Sequence, residues 1–136
     1  MKLLSNADAI LGIDDKEYED VDIEQWDVTV RIAVMSGASR DKWEMSMMQT
    51  DNSDRGYSLN IKGLSRASLV ALCLVDEKFN RIFVTNEQIE ALSNKSAVVL
   101  DRLYEVAQRI NGITDEDVED LEKNSVAVQN GDSGSD

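Results

Sequence analysis

Seven carboxylates fall within eleven residues of the chain: Asp14, Asp15, Glu17, Glu19, Asp20, Asp22 and Glu24. Two carboxylates can share acid and base work, but only where their surroundings separate the two pKa values, and a run this polar does not promise burial. Other catalytic inventories are missing. The sequence has no His, so it cannot build a Ser-His-Asp or Cys-His arrangement or an imidazole metal site. The single cysteine, Cys73, lies in the apolar run LVALCLV, cannot close an intrachain disulfide, and reads as a small buried hydrophobe. A calcium loop starting at Asp51 would put Ser53 third, Arg55 fifth and Lys62 twelfth; a lysine cannot replace the bidentate glutamate of such a loop. The expected chemistry is therefore binding by a non-enzyme, without cofactor or metal.

Charge narrows the partners. Lys and Arg number 14 against 27 Asp and Glu, a net charge of -13, which repels phosphate backbones and anionic lipid and favours a basic protein. Neither nucleic acid nor membrane is an expected partner. No stretch has the basic flank and apolar centre of a signal peptide, and none approaches the ~18 apolar residues of a membrane span, so a cytosolic location is expected. Among residues suited to gripping a partner, Trp26 is either a core cap or an aromatic anchor. Met47 and Met48 are either gap fillers or an adaptable face. Leu100, Leu103 and Ile110, with Asp101 and Glu105 beside them, form an apolar strip with acidic borders. That strip suits either a bound amphipathic helix or the domain's own core.

The elements that must position these residues follow from periodicity. Residues 1–22 read as an acidic, solvated segment. From Ile23 the alternation of Val28, Val30, Ile32 and Val34 predicts a strand over about 28–35. Ser36 is placed to cap a helix that carries Trp43 and Met47 on one face. Residues 49–62 read as a polar loop. The apolar run 64–75 is ambiguous between helix and strand; the reading followed here is a helix from Ser65 to about Leu72. It leads into a hairpin whose strands lie near 70–75 and 81–84, with Asn80 in a left-handed turn position. Thr85 and Gln88 form a capping box, and Ser96 opens a helix over about 97–110 that ends at Gly112. Thr114 caps a last helix anchored by Val118 and Leu121. The expected fold is α+β: a small antiparallel sheet with four to five helices, helix-rich in its C-terminal half. It forms one domain over 23–124, followed by a disordered acidic tail at 125–136.

The ordered segments WDVTVRIAVMSGASRDKWE, LVALCLVDEKFNRIF and TNEQIEALSNKSAVVLDRLYEVAQRINGITDEDVEDLEKNS together resemble the tail assembly chaperones of long-tailed bacteriophages. The resemblance covers about residues 23–125 and rests on a Trp-led strand, a Ser-Gly-x-x-Arg-Asp helix start, a Val-Asp-Glu turn and an Asn-Gly turn before an acidic helix. It departs at Phe79, where a glycine or small turn residue is expected, at Ile110, where leucine is expected before Asn-Gly, and in the individual 49–62 loop. The resemblance implies a non-enzymatic protein of the host cell cytoplasm, absent from the mature virion. Such a protein coats the tape measure protein and keeps it soluble while tail tube subunits polymerise around it. It also implies a possible homo-oligomer and a frameshifted longer product that recruits the major tail protein. The alternative from composition alone is a small acidic adaptor or nucleic-acid mimic that occupies a basic groove.

Overall fold

The computed structural model describes residues 1–48 and 66–123. The 49–62 loop and the expected disordered tail at 125–136 lie outside the described residues. Six helices accompany a three-stranded antiparallel sheet among those described, in the strand order β1-β2-β3.

The first departure from expectation is in the acidic segment. Asn6 caps a short helix, α1 (Ala7–Leu11), by accepting the Ala9 amide at 2.8 Å. The carboxylate run then forms the edge strand β1 (Tyr18–Ile23), paired with β2 (Val28–Ala33) in the register Asp20↔Arg31 and Asp22↔Thr29. Charge hides the pattern in the sequence. Val21 and Ile23 alternate inward while Asp20 and Asp22 point out, which is the period of a half-buried strand. A single turn of tight helix, Glu24–Trp26, reverses the chain, and Asp27 closes it with φ 55°, a left-handed conformation that Asp tolerates.

After β2, the Ser36 hydroxyl accepts the Ser39 amide at 3.1 Å and starts α2 (Gly37–Met48). The apolar run divides as expected: a helix, α3, runs through the described residues 66–73 and passes directly into β3 (Leu74–Val75). The expected strand at 81–84 does not form. Only Arg81 bridges back to Val75, and the amides of Val84 and Thr85 are taken by Gln88 Oε1 at 2.7 and 3.0 Å. The capping box of α4 (Asn86–Ser93) thus claims donors that a longer ladder would need. The remaining strand of the sheet is supplied instead by 18–23, the first in sequence order, on the far edge of β2.

Ser96 caps α5 (Ala97–Asn111), Gly112 ends it at φ 68°, and Thr114 and Asp117 exchange amide bonds at 2.9 and 3.0 Å to start α6 over residues 115–123. α5 packs on one face of β1 and β2. The core between them joins Ile23, Ile32, Trp43, Leu69, Val70, Cys73, Leu74, Val99 and Leu103. Val118 and Leu121 pack against it from α6.

Candidate functional site

Cys73 is buried, its thiol accepts a bond from Asn111 Nδ2 at 3.4 Å, and burial pushes its pKa up to about 12. It is a packing group. A thiol so disfavoured as thiolate does not serve as a nucleophile at neutral pH. No group of three or more His, Cys, Asp or Glu among the described residues is arranged to hold a metal ion. No described helix is long and apolar enough to cross a membrane.

The expected α5 strip is divided by the fold. Leu103 is 0% exposed and Leu100 is 3% exposed, both inside the core, and Ile110 is half-buried against it. Asp101 faces out and pairs with Arg66 of α3 at 3.1 Å, and Glu105 is exposed. The leucines therefore hold the domain together, and only the acidic border is presented to solvent. Met47 is buried beside Trp43, while Met48 is exposed, so the two methionines do not form one face. Trp26 packs against the core half-buried, with Lys95 Nζ 5.5 Å from its ring centroid.

A different cluster stands on the sheet face opposite α5. Arg31 of β2 forks onto Asp20 of β1 at 2.8 and 3.1 Å, and its guanidinium carbon lies 4.1 Å from the Tyr18 ring centroid and 5.4 Å from that of Phe79. Tyr18 and Phe79 meet edge to face, 5.3 Å apart at 65°. Lys16 Nζ lies 5.6 Å from the Phe79 centroid, and the Thr29 hydroxyl donates to Asp22 at 2.6 Å. The Arg31 hydrogen bonds hold the Asp20 carboxyl below its ordinary pKa, and those same bonds raise the Arg31 pKa. The patch thus offers two aromatic rings and paired charges of both signs on and beside β1 and β2; aromatic rings and arginine are enriched at protein–protein contacts.

Phe79 reaches this patch through strain. The turn after β3 is tied by Asp76, whose carboxylate accepts the amides of Lys78 and Asn80 at 2.8 and 2.9 Å. These bonds lower its pKa, that from Asn80 contributing most. The left-handed position falls on Phe79 at φ 66°, not on Asn80. A non-glycine residue there costs about 1–2 kcal/mol. Sequence reading did not find the patch because Tyr18 and Asp20 lay in a segment read as solvated. The available signal was Phe79 itself, a bulky ring in a turn position that favours glycine.

Asn111, the last residue of α5, is hydrogen-bonded on several sides. Its Oδ1 accepts the Met35 amide at 2.8 Å, its Nδ2 donates to Ala107 O at 2.8 Å, and its carbonyl accepts Arg40 Nη1 at 3.0 Å. The end of α5 is thereby joined to the β2–α2 junction. Arg109 adds an outer clamp, with Nη2 at 2.8 Å from Glu19 Oε2 of β1.

No family model matches the chain, and no curated protein matches it at a significant level. Among solved structures, the tail assembly chaperone of bacteriophage HK97 matches with a TM-score of 0.50 and 17% identity, over 69% of this chain and 84% of that one. The chain shares its fold with that protein. At this identity the likeness concerns backbone architecture, here an α+β arrangement of a small antiparallel sheet with α5 packed on it.

Proposed function

We propose that this protein is a non-enzymatic tail assembly chaperone of a long-tailed phage, which binds the tape measure protein and keeps it soluble while the tail tube polymerises around it. The observation that carries this reading is the shared fold over 69% of the chain. The net charge of -13 supports it, because a strongly acidic cover keeps an apolar helical client dispersed and attracts basic flanks. The protein acts in the host cell cytoplasm and is absent from the mature virion. A frameshifted longer product brings in the major tail protein.

The client contact belongs on the open sheet face, where Tyr18, Arg31 and Phe79 stand ready, with Asp101 and Glu105 of α5 as outlying charges. Leu100 and Leu103 are unavailable in the folded state. Co-expression with a long, helical tape measure protein of the same phage tests the role: the client is expected to move from the insoluble to the soluble fraction and to co-purify. A client that stays insoluble, or that is soluble alone, overturns the reading.

A further inference from the structure

Trp43 is 1% exposed, and its Nε1 is the one buried side-chain nitrogen or oxygen among the described residues that has no hydrogen-bond partner. A buried indole N–H ordinarily finds an acceptor, because burial takes away the water that served it. Trp43 also lines a cavity of about 230 Å³ between α2 and α6, together with Arg40, Glu44, Asp117, Asp120 and Leu121. The volume is below the ~300–1,000 Å³ of pockets that enclose drug-sized ligands, so it suits a single side chain better than a cofactor. Helical spacing builds the walls. Arg40, Trp43 and Glu44 stand at i, i+3 and i+4 on α2, and Asp117, Asp120 and Leu121 repeat that spacing on α6.

Charge states what the cavity lacks. Its lining holds one guanidinium and three carboxylates. The guanidinium is engaged: Arg40 Nε donates to Glu44 Oε2 at 3.2 Å, and Nη1 donates to the Asn111 carbonyl at 3.0 Å. Arg40 offsets Glu44, which leaves Asp117 and Asp120 in surplus. Asp117 uses only Oδ2, on the Thr114 amide at 2.9 Å, and Asp120 has no hydrogen bond or ion pair among the described residues. We infer that this cavity takes a basic side chain, lysine or arginine, of a protein partner: its cationic head meets Asp117 and Asp120, and the carbonyl of the same residue accepts the Trp43 Nε1–H. An anion would also satisfy the indole, but the two surplus carboxylates repel it. A residue that carries a cation and a carbonyl satisfies both. The inference rests on the chaperone reading for the partner's identity, a basic flank of the client, and adds a charge-reading contact to the one on the sheet face.

The indole N–H reports directly. The chain has two tryptophans, so its proton–nitrogen spectrum holds two indole resonances, and the one that survives in Trp26→Phe belongs to Trp43. Titration of the full chain with the capped peptide acetyl-Ala-Lys-Ala-amide is expected to shift that resonance saturably, and the arginine peptide likewise. Peptides with norleucine or glutamate in place of the lysine are expected to leave it unmoved. Asp120→Asn alters an exposed side chain without changing its shape. It is expected to weaken the lysine peptide by roughly two- to fivefold, the effect of one exposed ion pair, with an unchanged far-UV spectrum. Added salt should weaken binding as well. A resonance that no peptide moves, the result if water alone fills the cavity, overturns the inference. So does an equal shift with the norleucine peptide, tighter binding of the glutamate peptide, or an Asp120→Asn protein that binds lysine as well as the unaltered chain. No client enters the titration, so the two readings fail separately. Peptide binding beside a client that stays insoluble sinks the chaperone reading alone, and a solubilised client without peptide binding sinks the cavity alone.

Discussion

Asn111 satisfies groups on two separate elements, so its loss strands more than one partner. Asn111→Ala leaves the part-buried Met35 amide without an acceptor, and is expected to cost about 1–3 kcal/mol in urea unfolding. Asn111→Asp keeps that acceptor and is expected to cost less. Phe79 gives the opposite test, because its backbone wants glycine while its ring serves the patch. Phe79→Gly should be more stable than Phe79→Ala by about 0.5–1 kcal/mol, the left-handed penalty less the extra chain entropy of glycine. Both variants should lose the client in co-purification. If Phe79→Gly retains full client binding, the aromatic patch is not the contact. Cys73, whose thiol burial pushes up to about 12, should resist a thiol reagent at pH 8 in the native protein and react on unfolding.

At the scale of elements, the helices are set by local chemistry and held by burial. Thr85→Ala removes the acceptor for the Gln88 amide and is expected to cost about 1 kcal/mol. Leu103 is fully enclosed between helix and sheet, so Leu103→Ala should cost ~2–5 kcal/mol. A loss under half a kcal/mol in the same unfolding measurement would mean that α5 is not the central packing helix. α5 also separates stability from recognition. Asp101→Lys with Glu105→Lys alters exposed side chains and breaks the Asp101–Arg66 pair, so it should cost no more than about 1 kcal/mol in unfolding while slowing association with a basic client. Stopped-flow rates at low and high salt check this, and identical rates at both would remove these carboxylates from the contact.

For the whole molecule, acid sensitivity follows from three carboxyls held below their ordinary pKa of 3.8: Asp20 by Arg31, Asp76 by the Asn80 and Lys78 amides, and Asp117 by Thr114. Each is ionised more readily folded than unfolded. Their contribution is therefore fully present above the unfolded value and is lost as pH falls through the lowered native values. The urea midpoint should hold from neutral pH to about pH 5, then decline below pH 4. Asp76→Asn and Asp117→Asn should each flatten that decline, which a pH series of unfolding curves would show.

How far the sequence reached depended on the range of the interactions involved. Thr85 with Gln88, Ser96, Gly112 and Thr114 bound their helices because capping is a matter of neighbours within one turn, and the structure places each cap where its residue type put it. The helix-to-strand change near Leu74 was legible only in part, since periodicity left the apolar run 64–75 open between helix and strand. Strand β1 was not legible, since its carboxylates outweigh Val21 and Ile23 until β2 is present to pair with them. The hairpin strand at 81–84 gave way because Gln88 competes for its amides, a choice between two local signals that the chain alone leaves open. Only the tertiary structure could assign Leu100 and Leu103 to the core, for an apolar stripe has the same spacing whether its own sheet or a partner covers it. The Tyr18–Arg31–Phe79 patch lies beyond sequence for a related reason: its members are brought together by antiparallel pairing and a strained turn, and no period along the chain encodes that meeting.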